Sequence, residues 1–167
     1  FMRRLEIKDY EGIETFNIFN DNDNPFTFIT TKIDVTNIVK FSKEYGNFYA
    51  TLGFLVTSVV NKIDEFKLRY EDGKFYKYDN LMPEFVEKFK NGRVGFFICD
   101  WKERYDEFIK EFLNQKNLFL KTQKNIIGND NGQIWLSCAP WFQFSNLVVP
   151  FNKKLQIPQF IWDKITP

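Results

Sequence analysis

Apolar positions along the chain fall in blocks whose spacing switches between a period of two and a period of about 3.6. Residues 26–33, Phe-Thr-Phe-Ile-Thr-Thr-Lys-Ile, are aromatic and β-branched and predict a strand. Asp34 then offers an N-cap to a helix reaching about Tyr45, with Val35, Ile38 and Val39 inward and Gly46 as its stop. A second helix follows, in which Phe48, Leu52, Leu55, Val56, Val59, Val60 and Ile63 recur at three- and four-residue steps. Its opposite face carries Thr51, Thr57, Ser58 and Lys62, and the width of the apolar face suits a helix laid on a sheet. Phe66, Leu68 and Tyr70 alternate with polar residues, Glu71-Asp72-Gly73 supplies a turn, and residues 74–78 return, which predicts a hairpin.

Farther along, Arg93-Val-Gly-Phe-Phe-Ile98 reads as a strand, and Trp101, Tyr105, Phe108, Ile109 and Phe112 line one face of a third helix. Gly128-Asn-Asp-Asn-Gly132 is a turn before the strand Ile134-Trp-Leu-Ser-Cys138, which Ala139-Pro140 closes. Residues 142–144 and 147–149 are short β-like pieces, and Phe160-Ile-Trp162 is strand-like. Strands and helices are mixed without linker, repeat or low-complexity tract, which predicts one α+β domain over residues 1–167.

Composition adds one unusual feature and one absence. The chain holds 21 Phe, 7 Tyr and 4 Trp, enough for an aromatic core with an aromatic-lined pocket or an interface besides. It holds no histidine in 167 residues. Ser-His-Asp and Cys-His mechanisms are thereby excluded within these residues, as are His-ligated metal sites. Lys+Arg is 23 against Asp+Glu 22, a balance that predicts neither a nucleic-acid nor a membrane partner, and no metal is expected. Two cysteines make no disulfide framework, and the charged start Arg3-Arg4-Leu5-Glu6 does not read as a secretory signal, so a cytoplasmic protein is expected.

Most candidate chemistry reduces to ordinary structure. Gly128 and Gly132 are not followed by Gly-Lys-Ser/Thr, so they form a turn and not a phosphate loop. Asp100, Asp106 and Glu107 fit a solvated helix face. Cys99 and Cys138 lack a histidine to activate them and read as small buried residues. Ser137 stands apart, because it ends an apolar strand where a hydroxyl is presented to a loop, although a serine satisfying a local turn is the commoner case.

Ser137-Cys-Ala-Pro140-Trp141, followed by Phe144-Ser145, resembles the Ser-x-x-Pro-Trp signature of the chloramphenicol acetyltransferases. The likeness continues in order through Asn24-Pro25-Phe26, residues 31–36, Phe48-Tyr49, residues 65–69, Glu71-Asp72-Gly73, Leu118-Phe119 and Ile157-Pro158. It implies a two-layer α+β sandwich with a mixed sheet packed by helices, assembled as a homotrimer with sites between subunits. It implies acetyl transfer from acetyl-CoA, as co-substrate, to a hydroxyl of a small aromatic compound. Ser137 then matches the serine that hydrogen-bonds the oxyanion, and Phe19, Phe26, Phe96 and Phe119 fall about where the family places the aromatics of the antibiotic pocket.

Departures from the pattern run in one direction. The family's base lies in a His-His-x-x-x-Asp-Gly motif, and these 167 residues end before it would begin. Residues 11–14, Glu-Gly-Ile-Glu, offer no arginine to pair with that aspartate. Ile161 stands where antibiotic-modifying members carry a small hydroxyl residue, Trp162-Asp163-Lys164-Ile165 replaces a Gly-Lys-Tyr region, and Leu118-Phe119-Leu120 replaces Leu-Phe-Pro. The expectation is a member of this fold that does not catalyse acetyl transfer alone. The alternatives are a non-catalytic binding or assembly module, or a fragment of an active enzyme.

Overall fold

The computed structural model describes residues 3–128, 131–149 and 156–166. Its elements in chain order are β1 (Arg4–Ile7), α1 (Ile13–Asn20), α2 (Thr36–Tyr45), α3 (Phe48–Val60), a 3-10 turn (Asp64–Lys67), β2 (Leu68–Glu71), β3 (Lys74–Tyr78), β4 (Met82–Lys88), β5 (Val94–Ile98), α4 (Tyr105–Thr122), β6 (Gln133–Ala139) and β7 (Gln159–Asp163). The strands form a small antiparallel sheet ordered β1-β3-β2 and a larger mixed sheet ordered β5-β4-β6-β7. In the larger sheet β4 pairs antiparallel with β5 and parallel with β6, and β6 pairs parallel with β7. This is the expected α+β architecture, with helices on one face of a mixed sheet.

Aromatic residues build the core. Phe85, Phe97, Phe108, Phe112 and Phe119 are fully buried together with Ile134 and Leu136. Phe85 meets Phe112 edge-on at 4.8 Å and stacks on Phe97 at 5.5 Å, geometries that ring quadrupoles favour. Alternation along the strands turns Phe85 and Leu136 toward α3, where both approach Gly53. The residues between them, Glu84, Val86, Trp135 and Ser137, therefore face the other side of the sheet.

The predicted hairpin forms as β2 and β3, with Asp72 (φ 49°) and Gly73 (φ 80°) in the left-handed geometry of a two-residue turn. Phe66 belongs to the 3-10 turn that precedes it. On the outer edge of β2, the Gln156 amide donates to Tyr70 O at 3.0 Å, and Tyr70 N donates to Gln156 Oε1 at 2.7 Å. Buried Arg69 joins the two sheets by donating to the carbonyls of Phe66, Leu68, Asn131 and Gln133.

Several expectations need correction. Residues 26–33 are not a strand: they run without a ladder partner, and Ile29 is 85% exposed. β-propensity without a neighbour to hydrogen-bond does not make a strand. Residues 142–144 and 147–149 are likewise irregular. The burial of α3 is also rotated from the pattern, for Thr51 and Thr57 are buried while Leu55 and Val59 are exposed. Thr57 Oγ1 donates to Gly53 O at 2.6 Å and Thr51 Oγ1 to Asn47 O at 2.9 Å, so the helix itself satisfies both hydroxyls. Asp34 acts one residue earlier than a formal cap, accepting from Thr36 N at 2.8 Å, and Val35 holds the N-cap position. Residues 129 and 130 of the predicted turn lie outside the described residues.

Candidate active site

Ser137 lies on β6, half-buried, on the sheet face turned away from the helices. In register it stands beside Ile161 of β7. On the other flank the β4–β6 pairing ends one step earlier, at Phe85 opposite Leu136, so Val86 comes next to Ser137 without pairing to it. Val86 in turn opposes Phe96 of β5. Phe96, Val86, Ser137 and Ile161 thus form a strip across all four strands, with one hydroxyl among three apolar side chains. Among the described residues the Ser137 hydroxyl has no hydrogen-bond partner, which leaves its proton for a ligand.

Tyr49 enters from α3 at the place where β4 and β6 part. Its hydroxyl lies 3.1 Å from Val86 N, 2.9 Å from Val86 O and 2.9 Å from Leu136 O. Burial pushes the phenol well above its ordinary pKa, so it remains a neutral donor. In the sequence Tyr49 stands only as part of the Phe48-Tyr49 pair in the family likeness. A tyrosine among core aromatics gives no local sign that its tip reaches a strand.

A buried polar group lies next along the same face. Glu84 stands opposite Trp135 in register and is 4% exposed, and Gly128 N approaches its carboxylate at 3.4 Å. Burial raises its pKa, and the Gly128 contact opposes that only in part. Gln133 Oε1 and Trp135 Nε1, on the same face, are buried without a partner among the described residues.

Beyond Ser137 the loop is tied in place. Lys88 Nζ lies 3.9 Å above the ring of Trp141, which is 65% exposed. Asp163 accepts from Phe144 N at 3.1 Å, and Phe142 O accepts from Lys164 N at 3.1 Å. Thr30 donates to Asn146 at 3.5 Å, which brings the extended segment containing Phe26 beside this loop.

The candidate aromatics are dispersed. Phe96 shares the strip with Ser137. Phe26 is half-buried in the extended segment, and Phe19 is 58% exposed on α1. Phe119 is fully enclosed in the core and stacks on Phe89 at 4.3 Å. Of the two thiols, Cys99 is buried and Cys138 half-buried, and desolvation raises the pKa of each. A separate apolar groove of about 400 Å³ lies on the helical side, lined by Ile38, Phe41, Phe54, Leu55 and Tyr105 among others. No helix of the described residues is long and apolar enough to cross a membrane, and no group of three or more Cys, Asp or Glu among them is placed to hold a metal ion.

A mixed four-stranded sheet with one helical face, and a serine at the fork of two parallel strands on the other, defines a two-layer α+β protein whose open sheet face carries the candidate chemistry. A family model described as "Chloramphenicol acetyltransferase" matches residues 1–166, and the chain belongs to that family. Its relatives include the chloramphenicol acetyltransferase of Staphylococcus aureus, 28% identical over 93% of this chain and 74% of that protein. Chloramphenicol acetyltransferase 2 of Escherichia coli is 24% identical, with 96% of this chain and 78% of that protein covered. A solved structure titled "chloramphenicol acetyltransferase" superposes with a TM-score of 0.82, at 21% identity, over 100% of this chain and 84% of that one. That likeness shows the fold.

Proposed function

We propose that these 167 residues form the oxyanion-binding and acceptor-binding part of an acetyltransferase site, and that without a histidine they do not turn over by themselves. The reaction is acetyl transfer from acetyl-CoA to a hydroxyl of a small aromatic compound of the chloramphenicol type. The acceptor oxygen attacks the thioester carbonyl carbon and a C–O bond forms. The acceptor proton passes to a base, and the oxyanion takes a hydrogen bond from the Ser137 hydroxyl. Collapse then breaks the C–S bond, and the thiolate of CoA leaves and takes up the proton.

One observation carries this reading: among the described residues the Ser137 hydroxyl has no hydrogen-bond partner, and it is half-buried and flanked by Val86 and Ile161, so it can donate to a ligand in apolar surroundings. A donor so placed contributes on the order of 10²–10³ in rate. The missing base is worth on the order of 10²–10⁴. No side chain of the strip replaces it, and the phenol of Tyr49 is too weak an acid and base at neutral pH. Phe96 and Phe26, with Phe19, are proposed to contact the acceptor, and Phe119 to support Phe97 behind them. A homotrimer, with the open sheet face closed by a neighbour, and a cytoplasmic location complete the proposal.

The test is chemical rescue. Purified protein is mixed with acetyl-CoA and chloramphenicol, with and without imidazole as an external base, and acetylated chloramphenicol is quantified. The expected result is no detectable turnover without imidazole and a saturable rate with it, which falls about a hundredfold in S137A. Rapid turnover without imidazole would refute the missing-base reading. An imidazole-supported rate insensitive to S137A would refute the role given to Ser137.

A further inference from the structure

The strands of the larger sheet put three charged side chains on its open face: Glu84 and Lys88 from β4, and Asp163 from β7. The two carboxyls are accounted for. Burial favours the neutral form of Glu84, and Gly128 N lies 3.4 Å from its oxygen. Asp163 accepts from Phe144 N at 3.1 Å and stands two strands from β4, about 10 Å across the sheet. Glu87, next to Lys88 in sequence, alternates to the helical side and pairs there with Lys116. Lys88 is left with no carboxylate among the described residues, and its ammonium sits 3.9 Å above the ring of Trp141.

An aromatic face holds a cation without cancelling its charge. That charge can therefore act on a ligand, and its place is set from two sides. On β4, Lys88 follows Val86 by two residues, about 7 Å along the strand. On the β6 side, Trp141 follows Ser137 by four residues, so the loop that leaves the serine reaches back to β4 and meets the ammonium. Lys88 opposes Val94 of β5 while Val86 opposes Phe96, which makes Lys88 and Phe96 diagonal neighbours about 7–8 Å apart. A ligand whose hydroxyl meets Ser137 and whose ring lies on Val86 and Phe96 thus brings its far end to Lys88. An apolar far end strips water from the ammonium and returns nothing, whereas a carboxylate returns a charge-assisted contact.

We propose that Lys88, seated on Trp141, makes this a site for anionic acceptors: small aromatic alcohols that carry a carboxylate on the side of the ring opposite the hydroxyl. The fate of the hydroxyl rests on the acyl-transfer reading of Ser137. The charge preference rests on the Lys88–Trp141 pair and its place beside the strip.

The test uses two probes, 4-(hydroxymethyl)benzoate and 4-(hydroxymethyl)benzamide, which share ring and hydroxyl and differ by one charge. Each is titrated into the protein in low salt and followed by NMR at the Trp141 indole N–H and the Phe96 amide. The benzoate binds about 3- to 10-fold more tightly than the benzamide. The advantage falls below about twofold in about 0.5 M sodium chloride, where exposed charges are screened. It is lost in K88M and kept in K88R, which retains both the charge and the stack on Trp141. Equal affinities, or a preference that survives in K88M, overturn the proposal. So does failure of both probes to move the Trp141 and Phe96 signals. With acetyl-CoA and imidazole added, the benzoate is acetylated at a lower KM than the benzamide, and S137A lowers the rate while leaving the ratio of dissociation constants unchanged. A charge preference without any acetyl transfer refutes the acyl-transfer reading and sustains the anion site.

Discussion

Replacing Gly53 with alanine tests how closely the helical layer is set on the sheet beneath Ser137. Gly53 lies within α3, where alanine normally gains about 1 kcal/mol over glycine. A Cβ at this position would stand 2.5 Å from Phe85 Cε1, 2.6 Å from Phe85 Cζ and 3.2 Å from Leu136 Cδ1. Phe85 has no room to give way, being fully buried against Phe97, Phe112 and Tyr49. Relief requires α3 to lift or Phe85 to leave its rotamer, at about 1–3 kcal/mol for overpacking and about 0.5–1.5 kcal/mol for the rotamer. The clash outweighs the propensity gain, so G53A should lose about 1–2 kcal/mol in urea unfolding, or about 3–6 °C in Tm. A G53A protein as stable as the parent or more so would refute the close approach and with it the fixed seat of α3.

Other outcomes follow from single contacts. Glu84→Gln should change the pH dependence of stability: a carboxyl whose native pKa is raised holds its proton more tightly folded than unfolded. Its contribution is therefore full below the ordinary carboxylate range and lost as pH rises through the native pKa. E84Q should be the more stable protein at neutral pH and show a flatter curve across acid pH in thermal melts. Arg69→Met removes the donor to four carbonyls and should lower stability by more than about 3 kcal/mol, measured by urea titration. Thr57→Val replaces a hydroxyl that serves only its own helix and should change stability by less than about 1 kcal/mol in the same titration.

Elements with a strong period and a pairing partner could be read from residues alone. β5, β6 and β7 appeared as short apolar runs, α4 as a regular stripe, and the hairpin as an Asp72-Gly73 turn between alternating segments. β4 was hidden because Met82-Pro-Glu-Phe-Val-Glu-Lys88 mixes charge and proline into a central strand. The proline is tolerated at the strand start, where its carbonyl accepts from Cys99 N at 3.0 Å. β1 and α1 were hidden for the opposite reason, since α1 buries none of its residues and gives only a weak stripe. The turn of α3 was misjudged because threonines bonded back to their own helix bury as readily as valines. Ser137 was recognisable only through the Pro140-Trp141 motif that follows it. Its setting was invisible, because the groups around it come from β4, β7 and α3 and meet only in three dimensions.

The paired contacts between Gln156 and Tyr70 bear on how the small sheet behaves at high concentration. β2 is an outer strand, and its Tyr70 amide and carbonyl point where another chain could add. A primary amide reproduces the donor–acceptor pair of a peptide group, so Gln156 holds that place as a surrogate strand one residue long. An incoming chain must displace a tethered competitor before its first hydrogen bond forms. A single side chain thereby guards the rim against self-propagating strand addition, and does so without the charge or proline by which sheet edges are more often kept apart.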